Sequence, residues 1–68
     1  MNVNVYEGRF SYEKLLFRTN EIDGEFIIPC KGDFIFYGEN VYKVLYGMVD
    51  VHNDEYSIFV RKAIEEDY

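Results

Sequence analysis

The chain has no tryptophan, one cysteine and one proline among its 68 residues. Each scarcity excludes something. A lone cysteine, Cys30, cannot form an intramolecular disulfide, whereas secreted domains of this size usually depend on several. A lone proline, Pro29, leaves long uninterrupted stretches free to enter sheets. Basic residues are few: seven against thirteen acids, for a net charge of −6. Nucleic-acid binders draw most of their affinity from cationic surfaces that neutralise phosphate, so this balance argues against DNA or RNA as a partner. It argues equally against an anionic membrane surface. No run approaches the roughly 18–20 apolar residues that a membrane span needs. Met1-Asn2-Val3-Asn4-Val5 has neither the basic segment nor the long apolar segment of a secretion signal. The expected location is the cytoplasm.

What is present is aromatic. Six Phe and seven Tyr each carry roughly 150–250 Å² of buriable surface. That compensates for a length at which only about 60% of the unfolded chain's surface is buried. The length suits one domain, residues 1–68, with a core meander over 26–62 and an acidic tail over 63–68. Val3 and Val5 alternate with polar neighbours, as in a short strand. Residues 12–18 read as strand rather than helix, because no helix-length periodicity surrounds Leu15-Leu16-Phe17. Asp23-Gly24 marks a tight turn before a short apolar strand, Glu25 to Ile28, that Pro29 ends.

The second half is patterned more sharply. A turn over 29–33 leads into a strand over 34–37. Gly38-Glu39-Asn40 turns the chain into a long strand over 41–51. A loop at 52–54 precedes a last strand over 55–62. Placing Tyr37 opposite Tyr42, Ile35 opposite Val44, Tyr46 opposite Val60 and Met48 opposite Ile58 gathers these apolar residues and Tyr56 on one face. Ile35, Val44, Tyr46, Ile58 and Val60 are the expected core. The same register sets Phe59 across from Gly47, where an aromatic ring can cover a strand glycine.

Chemistry is thin. His52 and Cys30 are single and far apart, so no metal site is expected, and calcium-loop spacing is absent. Ser11, Thr19, Ser57 and Cys30 lack a base placed by any motif. Gly32-Asp33 and Gly38-Glu39 put acids where a phosphate would be repelled. The expectation is a protein that is not an enzyme and uses no cofactor.

The other face of the meander is the unusual one. Phe34, Phe36, Leu45 and Phe59 lie there with Lys43 and Arg61, where a two-faced sheet would be polar. If the N-terminal strands do not cross this face, these six residues form a contact surface for a protein partner or a second copy of the chain. An alternative places function in the acids: Glu21, Asp23, Glu25, Asp50, Asp54, Glu55 and the tail Glu65-Glu66-Asp67 would imitate a phosphate array and block a nucleic-acid-binding protein. The simpler account is solvated loops and edges that discourage aggregation.

The stretch Pro29-x-Lys31-Gly32-Asp33-x-Ile35-x-Tyr37, continued by Tyr42-x-Val44 and a last strand ending in Arg61-Lys62, resembles the core of SH3-like small β-barrels of bacterial and phage type. The resemblance spans roughly residues 26–62. It implies a small barrel or strongly twisted antiparallel meander that serves as a binding or assembly module, with no catalytic residues.

Overall fold

A computed structural model describes residues 2–8, 14–19 and 27–67. They form five strands: β1 (Asn2–Glu7), β2 (Leu15–Arg18), β3 (Phe34–Tyr37), β4 (Asn40–Asp50) and β5 (Glu55–Lys62), followed by a 3-10 turn at Glu65–Asp67. All belong to one sheet in the order β2-β1-β5-β4-β3. The sheet curls into a half-barrel. Its two outer strands approach across the inside, where the Phe17 and Tyr37 ring centroids are 4.5 Å apart.

Residues 34–62 form the expected antiparallel meander. Two-residue turn geometry with positive φ at both Gly38 and Glu39 is the type I′ form that matches strand twist. The Asp50 carboxylate shapes the β4–β5 loop, accepting from Asn53 Nδ2 at 2.8 Å and from the backbone N–H groups of His52 and Asn53. These bonds hold Asp50 below the usual carboxylate range, the Asn53 side chain contributing most. His52 is an exposed turn residue.

Outside the meander the chain departs from expectation. β1 runs parallel to β5, pairing Val3 with Tyr56 and Val5 with Ile58. No local pattern announces a parallel partner more than fifty residues away. Ile27 and Ile28, expected in a strand, have no regular structure and are exposed, while Glu25, Phe26 and the Asp23-Gly24 turn lie outside the described residues.

The register also differs, and the parity decides which differences matter. Ile35 pairs with Tyr42 and Tyr37 with Asn40, a slip of two residues that leaves every side chain on its expected face. Val44 pairs with Val60, again two residues away and on the expected face. Between Val44 and Tyr46, however, the ladder shifts by one residue. Leu45 is the extra residue of a β-bulge, and beyond it parity inverts. Tyr46 now pairs with Phe59 rather than Val60, and Met48 with Ser57 rather than Ile58.

The inner face therefore buries Val3, Val5, Phe17, Tyr42, Val44, Ile58 and Val60, with Leu16, Ile35 and Tyr56 packed against them. Val44, Ile58 and Val60 are buried as expected; Ile35 is half-buried, and Tyr46 is half-buried on the opposite face. The inversion also changes which ring meets the glycine. Gly47 pairs with Ile58, and the Tyr56 ring, not Phe59, fills the space where a side chain at 47 would stand. Gly47→Ala should lower stability by about 1–3 kcal/mol, the usual cost of forced overpacking. The same change in a Tyr56→Ala background should cost less, because the ring it meets is gone. Equal costs in a chemical-denaturation cycle would show that Tyr56 does not lie over Gly47.

Candidate contact face

The outer face is built by the residues whose parity sends them away from the core. Directly paired residues share a face, so Phe34, Lys43 and Arg61 make one row across β3, β4 and β5. Phe36 and Val41 begin the next row. Ala63 continues it, its N–H donating to the Val41 carbonyl at 2.8 Å. Phe34 is 43% and Phe36 74% exposed. A phenylalanine at the second value has most of its ring in water, and two neighbouring ones on one strand are uncommon on a protein surface.

The six residues read from sequence as a contact face thus separate. Phe34, Phe36, Lys43 and Arg61 lie together at the β3 end of the outer face. Leu45, in the bulge, is half-buried. Phe59 is fully buried, which corrects its assignment to a contact surface. Tyr46 stacks on it from β4, with centroids 4.9 Å apart, and Tyr6 from β1, at 5.7 Å. Such ring pairs add about 0.5–1.5 kcal/mol each beyond the area they bury. Phe59 is the centre of a small second core that anchors the outer face.

The cations are not solvated bystanders. After β5 the chain turns back through Ala63 and Ile64, and the 3-10 turn brings Asp67 to Arg61 and Lys43. The guanidinium of Arg61 forks onto the carboxylate, Nη1 to Oδ2 and Nη2 to Oδ1, both at 2.8 Å. Lys43 Nζ stands 3.4 Å from Oδ1, and the Ile64 N–H donates to Oδ2 at 2.7 Å. The Asp67 side chain is only 7% exposed, against 40% for Arg61. Charge-assisted bidentate bonding of this kind is stronger than a single contact. The Arg61 bonds first, then the Ile64 N–H, hold Asp67 far below the usual carboxylate range; partial desolvation opposes them and Lys43 assists.

Sequence reading does not place Asp67 on the two cations, nor Tyr6 and Tyr46 against Phe59. Asp67 sits in an acidic run with no local mark separating it from Glu65 and Glu66, and its partner Lys43 lies 24 residues away. Tyr6 and Tyr46 reach Phe59 only through the parallel pairing and the bulge.

Other acids among the described residues are also engaged. Glu7 pairs with Lys14 at 3.1 Å. Glu55 accepts from Asn4 Nδ2 at 3.1 Å, and Asp33 from the Cys30 N–H at 2.8 Å. Among the described residues no three His, Cys, Asp or Glu side chains are grouped to hold a metal ion. No helix among them is long and apolar enough to cross a membrane.

Because folded Asp67 gives up its proton at lower pH than the unfolded chain does, its stabilising effect is complete above about pH 5. It is lost as pH falls through the folded value. Asp67→Asn should therefore flatten the fall in stability between about pH 5 and pH 2, while moving the melting temperature at pH 7 downward. Parallel acid titrations of the two chains, followed by circular dichroism, check this; superimposable acid limbs would remove Asp67 from the account.

No protein-family model matches the chain, and no curated protein or solved structure matches it significantly.

Proposed function

We propose that this protein is a non-enzymatic interaction or assembly module, in the manner of SH3-like small β-barrels, and that its contact surface is the β3 end of the outer face. The observation that carries this reading is the exposure of Phe34 and Phe36 in adjoining rows with Val41, Lys43 and Arg61. Apolar side chains in water cost free energy that a partner's surface recovers, at roughly 25 cal/mol per Å² covered. A neighbouring arginine gives such a patch a directional anchor, and aromatic and arginine side chains dominate the energetics of known interfaces. Phe59, two residues from Arg61 on the same face, borders the surface with its stacked tyrosines, and Leu45 sets its boundary at the bulge. The half-barrel and its antiparallel meander support the comparison with SH3-like barrels; β1, the parallel partner of β5, lies outside the stretch that carries the resemblance. Imitation of nucleic acid by the acids has less support, since Asp50, Glu55 and Asp67 of that set are tied into the chain's own bonding, while Glu21, Asp23 and Glu25 lie outside the described residues.

Replacing Phe34 and Phe36 together by Ser tests the reading. The variant should keep its fold and melt within a few degrees of the parent, because Phe36 stands largely in water and Phe34, 43% exposed, lies outside the buried core. It should lose its partner when chains are recovered from the native host, or lose the concentration-dependent rise in mass if the partner is a second copy. Global unfolding of the double variant, or unchanged recovery of the same partner, would place the contact surface elsewhere.

A further inference from the structure

The Arg61–Lys43 pair is unusual in this chain for what already occupies it. In a protein with only seven basic residues, two of them converge on one carboxylate. That carboxylate comes from the turn at Glu65–Asp67. Glu65 and Glu66 are exposed and Ile64 is half-exposed, so among the described residues the turn is attached chiefly through the Asp67 side chain. The chain therefore displays, with its own acid, what this part of the outer face binds.

We propose that Arg61 and Lys43 form a carboxylate receptor, filled by Asp67 in the free protein, and that the C-terminal turn is an exchangeable strap displaced by an acidic side chain of the partner. The inference rests on the contact face proposed above and names the chemistry of what binds there. The guanidinium fork fixes the class of ligand: two parallel N–H groups match the two oxygens of a carboxylate. The surroundings narrow it further. Phe34 pairs directly with Lys43 and Phe36 lies in the adjoining row, so the ligand's carboxylate is flanked by apolar side chains. A polyacid is disfavoured, because a net charge of −6 repels it at every point beyond the reach of the two cations. The occupant is thus a protein segment presenting one carboxylate beside apolar residues. Displacement is feasible because an incoming carboxylate remakes the same guanidinium bonds, so only the advantage of the tether has to be overcome. The tethered Asp67 competes with any incoming acid, so the strap sets a threshold of affinity.

The test uses the chain's own tail as the probe. A peptide of sequence Ala-Ile-Glu-Glu-Asp-Tyr, with blocked N-terminus, is titrated into isotope-labelled full-length protein and followed by NMR. In the Asp67→Ala chain it should shift the Lys43 and Arg61 amides saturably. In the parent chain binding should be at least tenfold weaker, since the site is filled, and adding Arg61→Gln to Asp67→Ala should abolish it. Asp67→Asn, which keeps the shape of the side chain, provides the same comparison if the alanine variant does not fold. Equal titration of parent and variant, or binding that survives Arg61→Gln, would overturn the proposal. A parent dimer that becomes monomeric in the Asp67 variant would also overturn it, showing the tail exchanged between two copies. Failure of the peptide to bind while Phe34→Ser/Phe36→Ser still loses its partner would sink the receptor and leave the contact face standing.

Discussion

The structure depends on β5 being buried on both faces. Ser57, Ile58, Phe59 and Val60 are consecutive and all buried, which a strand tolerates only when something packs against each side of the sheet. Ile58 and Val60 point into the curled interior. Phe59 points the other way and stacks with tyrosines from the strands on either side. A chain of this length cannot wrap a large single core. It gains apolar burial instead by using both sides of its central strand. The parallel pairing of β1 follows from this need. With β4 on one edge of β5, the other edge must also be hydrogen-bonded for a buried strand to satisfy its backbone, and β1 supplies those bonds from Asn2 to Glu7.

The bulge at Leu45 is what makes two-sided burial possible. Without it, Tyr46 would remain on the inner face with Val44, and Phe59 would pair with Leu45 instead of stacking on Tyr46. One extra residue turns the upper half of β4 over, delivering Tyr46 to Phe59 and bringing Gly47 under the Tyr56 ring. The outer face then has two regions. The aromatic stack closes the part near β1. The part near β3 leaves Phe36 largely and Phe34 partly exposed, with the cations bound to the returning tail. The candidate contact surface is the remainder left when the stack and the strap have taken their share.

Much of this was legible in the sequence where the determinants are local. Strand alternation, the Gly38-Glu39 turn, the loop after Asp50 and the strand ending at Lys62 are all written in adjacent residues, and the meander over 34–62 stands. Faces survived a two-residue error in register because parity has a period of two. A bulge is different, since it changes parity without any distinctive residue, and Leu45-Tyr46 looks like ordinary alternation. Pairings across most of the chain, Val5 with Ile58 and Lys43 with Asp67, are decided by the whole fold and leave no local trace. Of the candidate site, Phe34, Phe36, Lys43 and Arg61 were found from their side of the strand. Alternation gives Phe59 its face but not its depth, because the Tyr6 and Tyr46 rings that stack on it reach it through the parallel pairing and the bulge.

The central claim is that the chain inverts at Leu45 and seats Tyr46 and Tyr6 against Phe59 on the outside of the sheet. Proton–proton contacts between aromatic rings, observed by nuclear Overhauser spectroscopy on the parent chain, test it most directly. The account predicts cross-peaks from the Phe59 ring to both tyrosine rings, and none from the Tyr46 ring to the Val60 methyls of the inner face. Cross-peaks joining Tyr46 to Val60 and Val44, with Phe59 showing no tyrosine contact, would contradict it and restore an unbroken β4 with all its apolar residues on one side.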